Sequence, residues 1–392
     1  MPIRAHKNIL YAAALPLIGR QCRWRHAEIT GESRPDTLAA VERVWKRHYT
    51  VGGCVQVIRN GQAAETCTVG FASLHPRRPV RADTVFRTAS IAKAVCALLV
   101  LRLKTLGKLS VEEDISDFWH REIRNPYHPQ VKIPLGSLLS HTSGFADTPR
   151  YFRSFTEEIT ADELLSDPAS YSRHLPYRAF RYSNFGAGLI GSLLEARFNI
   201  GFEDLIQREL FLPLGVQATF DIRRADVRRL ADGYRVLPPG RAAFDAQRRF
   251  HAAAPIGAPN PQRHFLLASG NLFITAGEMA KLCLLVMRQG MHDGTAFLNA
   301  ASMDNLFDVS HGGAERWPGM RHGMGLFTLE DGAVFPRRLY GHQGFAYGAV
   351  NGFFFDGNGN GLVSFNSGAS ERRAGRLSCL NRDLIRAVIA ED

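Results

Sequence analysis

Lysine is scarce in this chain. Of 48 basic residues in 392 only seven are lysine, so the net charge of +11 is carried overwhelmingly by arginine. The arginines fall in scattered pairs, such as Arg223-Arg224, Arg248-Arg249 and Arg372-Arg373, rather than in one block. No helix-turn-helix, zinc or RNA-binding signature accompanies them, which argues against a nucleic-acid partner and for a solvated basic surface. Long apolar runs are missing too: none reaches the ~20 residues that span a bilayer, so no transmembrane helix is expected. The six cysteines include no C-x-x-C pair, which argues against a metal cluster, and the sequence calls for no metal or other cofactor. There is no internal repeat, which excludes a solenoid.

What is present fits a soluble globular protein, with 45% hydrophobic and 22% charged residues. Residues 1–33 read as a basic leader or weak signal-like segment: Arg4 and Lys7, then the apolar stretch Ile9 to Gly19. Pro16 within it, the lack of a small-residue cleavage site, and Arg20, Arg23 and Arg25 just after count against export. Location stays open between the periplasm or cell envelope, which the signal-like stretch favours, and the cytoplasm.

Asp36 to His48 has helical spacing of Leu38, Val41 and Trp45. The Asn60-Gly61 turn then joins two strands from Cys54 to Gly70. A two-residue loop sets Arg59 opposite Gln62, and counting outward sets Cys54 opposite Cys67, where a cross-strand disulfide could form; two reduced thiols are the preferred expectation. Leu135 to Ser140 reads as a short helix ending in His141-Thr142-Ser143-Gly144, and 147–180 as a polar, Pro-punctuated loop. Helices are expected at 188–198, 202–210 and 275–287, the last with Thr275 as N-cap and Glu278 at N3 in a capping box. Residues 221–265 read as an Arg-rich surface loop. From Gly323 the texture is β, up to a closing helix at 376–389. Strands at both ends around a helical middle imply one sheet built from both termini with a helical insertion.

The chain turns on 86–101. From Ile91 to Leu101 the only charged residue is Lys93, and Gly107 closes the run, which predicts a buried helix of about four turns. Ser90 opens it, and residues three apart share a helical face, so the Ser90 hydroxyl and Lys93 amine should meet. The 21 serines and seven lysines would produce about 0.4 Ser-x-x-Lys pairs by chance, so the pattern needs support from elsewhere. The support is a lysine facing into an apolar helix, costly without a task, which burial pushes toward the neutral form that can deprotonate serine.

Three further patterns bear on chemistry. Tyr182-Ser183-Asn184 sits where an extended segment gives way to a helix; it offers a phenol beside the lysine, or simply a surface Tyr before an N-cap Ser. Gly186-Ala187-Gly188-Leu189-Ile190-Gly191 matches a dinucleotide fingerprint, but no apolar strand precedes it, so close helix packing is the better reading. His342-Gln343-Gly344, followed by Phe345, offers an imidazole and a backbone N–H for a developing oxyanion if it lies on a strand edge. His311-Gly312-Gly313 has the same spacing without strand character.

Taken in order, Ser-x-x-Lys, Tyr-x-Asn and His-x-Gly resemble the serine β-lactamase-like family, which includes class C β-lactamases, D-alanyl-D-alanine carboxypeptidases and esterase relatives. Leu138 to Gly144, Leu212-Pro213-Leu214-Gly215 and Ala268 to Leu272 look like that family's scaffold turns. The resemblance covers roughly residues 37 to 390. It implies an α+β fold: an antiparallel sheet flanked by terminal helices, an inserted helical subdomain, and an active site in the cleft between them. The single domain would run from 34 to 392, with a sheet subdomain at about 34–85 and 320–392 and a helical one at about 86–319. The resemblance makes Ser90 the acylated nucleophile, Lys93 its base, and Tyr182 partner base and acid to the leaving group. It gives Asn184 the substrate amide and Lys93 to orient, and the N–H groups of Ser90 and Phe345 the oxyanion. His342, Gln343 and Gly344 would line the substrate site.

The third motif departs from Lys-Thr-Gly or His-Thr-Gly. The missing Lys and hydroxyl would hold a substrate carboxylate, and Gln343 can donate a hydrogen bond but brings no charge. The expectation is therefore an esterase or D-amino-acid peptidase-like hydrolase acting on a small ester or amide. The alternatives are a β-lactamase or D-Ala-D-Ala carboxypeptidase acting on a lactam or peptide, and an acyltransferase or non-catalytic binder on the same scaffold.

Overall fold

The computed structural model describes residues 26–31, 35–236, 258–308, 319–346 and 348–389. The signal-like stretch, residues 237–257 of the Arg-rich loop and His311-Gly312-Gly313 lie outside the described residues. Among the described residues nine strands make one sheet. They are β1 (Ala27–Gly31), β2 (Gly52–Arg59), β3 (Gln62–Leu74), β4 (Arg77–Pro79), β5 (Met320–His322), β6 (Phe327–Leu329), β7 (Leu339–Ala346), β8 (Ala349–Asp356) and β9 (Gly361–Asn366). Their order is β1-β3-β2-β9-β8-β7-β6-β5, all antiparallel, with β4 added on β3. The junction of β2 with β9 joins the two ends of the chain, as the distribution of β texture implied. Residues 27–31, counted with the leader on sequence, form the edge strand β1.

Each face of the sheet has its own core because side chains alternate along the strands. One face carries Val55, Val57, Phe354 and Leu362 against α1 (Pro35–Arg47), with Val41 and Trp45. The same face is covered by the closing helix, Cys379–Val388, with Leu380, Leu384 and Ile385. That helix starts at Cys379 and not at 376, because Ser378 caps it by accepting the Asn381 N–H and Arg373–Ala374 pairs with Leu377–Ser378 as a small hairpin. The other face carries Cys54, Ile58, Phe353, Phe355 and Phe365 against the helical layer. Each fully buried large apolar side chain contributes about 1.5–3 kcal/mol, so these two layers hold the sheet in place.

The helical layer centres on α2 (Ile91–Thr105), apolar on all sides because it is surrounded on all sides. It ends where Gly107 adopts φ 68°, as the sequence indicated. Helix α3 (Asn184–Phe198) begins earlier than expected because Ser183 caps it, accepting the Gly186 N–H. Its glycines are packing residues: a Cβ at Gly188 would lie 2.0 Å from the Phe265 carbonyl oxygen. Helix α4 (Ala276–Met287) packs on β2 and β9. Thr275 caps it as expected, but the reciprocal half of the capping box is missing; the Glu278 carboxylate accepts from Gln217 N–H and Lys281 instead.

Two expectations are corrected. Cys54 faces Thr68, and Cys67 faces Val55, because of a register shift at Val57/Ile58. The two cysteines therefore belong to cores on opposite faces of the sheet, and both are free thiols. The polar stretch 147–180 is no bare loop: Pro149–Arg153 and Ala161–Leu165 are one-turn helices capped by Thr148 and Thr160.

Candidate active site

Ser90 stands at the N-terminus of α2 in a helical conformation, so its hydroxyl caps no backbone N–H. Ala89 before it is left-handed at φ 54°, a conformation costing an L-residue about 1–2 kcal/mol that presses the serine into the cleft. Lys93, one turn on, is 5% exposed. Its Nζ lies 3.0 Å from Ser90 Oγ, 3.0 Å from Asn184 Oδ1 and 2.5 Å from the Ser269 carbonyl oxygen. Two of these partners are carbonyl oxygens that only accept, so they occupy two N–H groups. The third position can be an N–H of the ammonium or the lone pair of the amine. A proton can thus pass between Ser90 and Lys93 while both other bonds stay intact.

Tyr182 closes the second side. Lys93 Nζ lies 5.2 Å from the centre of its ring. Asn184, the first residue of α3, has its amide fixed at both ends: the oxygen accepts from Lys93, and the nitrogen donates to Asp147 Oδ2 at 2.7 Å. Asp147 also accepts from Ser183 Oγ at 3.1 Å and Phe185 N–H at 2.9 Å, which anchors the whole Tyr182–Phe185 corner.

The third side is β7. Strand β6 pairs only with Leu339–Gly341, so from His342 onward that edge of β7 is left by β6 and meets the start of α2. The close approach explains Gly344: a Cβ there would sit 2.1 Å from the Thr88 carbonyl oxygen and 3.3 Å from Ser90 N. His342 is 3% exposed and donates from Nδ1 to the Gln343 carbonyl oxygen at 2.8 Å. Burial, with His322 and Lys93 nearby, pushes its pKa well below the usual histidine range. Gln343 lines the cavity too, and its side chain is tied to the C-terminal segment. One of its two amide N–H groups donates to the Arg376 carbonyl oxygen at 2.6 Å, and its oxygen accepts from Ser378 N–H at 3.2 Å.

Ser90, Tyr182, Asn184, His342, Gln343 and Phe345 line one cavity of about 220 Å³, with Lys93 beneath it. A wider depression near Glu330 and Arg337 gathers no serine or lysine. Among the described residues no group of three His, Cys, Asp or Glu is arranged to hold a metal.

A serine and lysine in contact, an anchored Tyr-x-Asn corner and a glycine-backed strand edge come from three distant stretches of chain. The family model named Beta-lactamase matches residues 38–376. The chain belongs to the β-lactamase family. Penicillin-binding protein 4 of Amycolatopsis lactamdurans is 25% identical over 352 residues, 88% of this chain and 86% of that one. Penicillin-binding protein 4* of Bacillus subtilis is 26% identical over 174 residues, which take in 43% of this chain and 37% of that protein. The class C β-lactamase of Rhodobacter sphaeroides has the same fold, with a TM-score of 0.69 at 18% identity over 91% of this chain and 99% of that one.

Four members of this β-lactamase-family cleft escaped the sequence. Asp147 lies in the stretch read as loop, and its role depends on Asn184, 37 positions away. His322 lines the cavity from β5, where burial and the Arg376 guanidinium pull its pKa down to about 3. Arg373 and Arg376 line it from the C-terminal hairpin, Arg373 lying 4.0 Å from the Phe345 ring centre. They put positive charge on a wall where the third motif alone offers none.

Proposed function

We propose that this chain is a serine hydrolase that forms an acyl-enzyme on Ser90 and cleaves a small ester or amide. The observation that supports it most strongly is the Lys93 amine, 3.0 Å from the Ser90 hydroxyl, with its remaining bonds filled by Asn184 and Ser269. In the proposed reaction Ser90 Oγ attacks the substrate carbonyl carbon as its proton passes to Lys93. The N–H groups of Ser90 and Phe345 stabilise the oxyanion. The C–O or C–N bond then breaks, and Tyr182 delivers a proton to the departing alcohol or amine. Water, deprotonated by the same Lys93–Tyr182 pair, attacks the acyl ester and restores Ser90. Asn184 holds both Lys93 and the substrate amide, and neutral His342 walls the leaving-group side without adding charge.

Arg373 and Arg376 favour a second reading of the substrate, one with an anionic group opposite the scissile bond, as in a β-lactam or a peptide with a free carboxylate. Two measurements separate the readings. A fluorophosphonate probe labels the wild type and not Ser90→Ala; equal labelling sinks the acyl-enzyme. Initial rates on a neutral p-nitrophenyl ester, a D-amino-acid amide and a chromogenic cephalosporin then rank the substrates. If the anionic reading holds, Arg376→Ala lowers kcat/KM for the carboxylate-bearing substrate by about tenfold or more and leaves the neutral ester within about threefold. Adding an alcohol acceptor distinguishes transfer from hydrolysis by its product.

A further inference from the structure

The turn His141-Thr142-Ser143-Gly144 stands outside the chemistry proposed above, yet His141 touches Tyr182 and both of its chain neighbours. The His141 ring packs on the Tyr182 ring with centroids 4.2 Å apart and planes 30° from parallel. The His141 carbonyl oxygen accepts the Arg181 N–H at 2.8 Å. Its Nδ1 accepts the Ser183 N–H at 3.3 Å. One residue therefore grips the backbone on either side of Tyr182 and supports the phenol ring between them. The turn is itself firmly built: Ser140 Oγ donates to the Gly136 carbonyl oxygen at 3.0 Å, and Thr142 accepts the Tyr177 N–H on its carbonyl oxygen at 3.0 Å. His141 sits there in the left-handed region, at φ 57°, which aims its side chain at residues 181–183.

We propose that His141 is a positioning residue that seats the Tyr182 phenol against Lys93 and Ser90. The inference rests on the Tyr182 role given above. The Nδ1 contact requires a neutral ring with its proton on Nε2, because an imidazolium would turn a second N–H toward that of Ser183. Burial keeps the ring neutral, and the groups facing it, His322, Lys93 and His342, add to the same effect. The Tyr182 ring thus rests on an uncharged imidazole, with Lys93 Nζ over it at 5.2 Å from its centre.

A double-mutant cycle on p-nitrophenyl ester hydrolysis tests this, with thermal unfolding of every variant and assays run well below each midpoint. His141→Asn keeps a side chain tolerated in the left-handed region and an acceptor for Ser183 but removes the ring. His141→Phe keeps a ring and removes the acceptor. Misplacing a reacting group by about 1 Å can cost ~100-fold, so each variant is expected to lower kcat by about ten- to a hundredfold with KM within about twofold. In a Tyr182→Phe background either change should add less than about twofold, since the group being positioned is already gone. Wild-type kcat in either folded His141 variant, or full additivity with Tyr182→Phe, overturns the positioning role alone. Wild-type kcat in Tyr182→Phe itself overturns the Tyr182 assignment and the inference that rests on it.

Discussion

Gly344→Ala is the sharpest perturbation the cleft offers, because it adds one methyl group between the strand edge and the serine. The new Cβ would stand 2.1 Å from the Thr88 carbonyl oxygen, where nothing under 3.0 Å is tolerated, so β7 and the start of α2 must part by about 0.9 Å. Neither side yields easily. Thr88 N–H is bonded to the Leu272 carbonyl oxygen, and β7 is paired with β8 from Leu339 to Ala346. Overpacking of this kind costs about 1–3 kcal/mol of stability. The larger effect should be kinetic. The two N–H groups proposed for the oxyanion, Ser90 and Phe345, lie on the two parts being separated, and a shift near 1 Å can cost ~100-fold, about 2.7 kcal/mol of transition-state stabilisation. The assay is kcat/KM for ester hydrolysis alongside a thermal melt. Gly357→Ala, in the turn between β8 and β9, serves as control, because a Cβ there meets nothing within 4 Å. Wild-type kcat/KM in a folded Gly344→Ala protein would refute the placement of the oxyanion site between these two elements.

Other consequences follow from the same geometry. Asp147→Asn removes the carboxylate that Asn184, Ser183 and Phe185 share, and should lower kcat about tenfold or more with a measurable loss of melting temperature; unchanged kcat would show that the Asn184 amide needs no anchor. Glu195 is buried, 2.6 Å from His264 Nδ1, and also accepts the Phe202 and Asn260 N–H groups, so Glu195→Ala strands three buried donors and should cost about 3 kcal/mol or more in urea unfolding, whereas a loss under about 1 kcal/mol would contradict this buried hydrogen-bonded cluster. His322 titrates at about 3 in the folded protein, below its unfolded value near 6.5, so its contribution to stability is present above pH ~6.5 and is lost as pH falls toward 3. Across that window stability should drop by about 1.4 kcal/mol per pH unit for this one group. His322→Phe should flatten the urea-melt slope between pH 6 and 4 by about that amount; an unchanged slope would place His322 in solvent.

How much was legible in the sequence depended on how locally each feature is determined. Helix α2 was readable because eleven consecutive residues share one environment, and the Asn60-Gly61 turn because both residues adopt positive φ, at 50° and 71°. Ser90 with Lys93 is likewise a one-turn relation within a helix. The Cys54–Cys67 register failed for a physical reason: counting outward from a turn assumes a regular ladder, and a single shift at Val57/Ile58 sends the two side chains to opposite faces. The Glu278 half of the capping box failed because a tertiary donor, Gln217 N–H, took the carboxylate. Gln343 lines the cavity as expected, but its tie to the Arg376 carbonyl oxygen comes from the C-terminal hairpin, which spacing could not show. Asp147, His322, Arg373 and Arg376 could not be found from spacing, because each matters only through a partner far away in the chain. Four of the cleft's members are thus products of the fold, while the proposed nucleophile and base, Ser90 and Lys93, are written in a single helical turn.

The central claim is that Ser90 carries the acyl group and Lys93 takes its proton. The most direct measurement is peptide mass spectrometry of wild type, Ser90→Ala and Lys93→Met after brief exposure to a fluorophosphonate. An adduct is expected on Ser90 in the wild type and none in Ser90→Ala, with labelling slowed by about a hundredfold or more in Lys93→Met. An adduct on another residue, or undiminished labelling without the lysine, would contradict it.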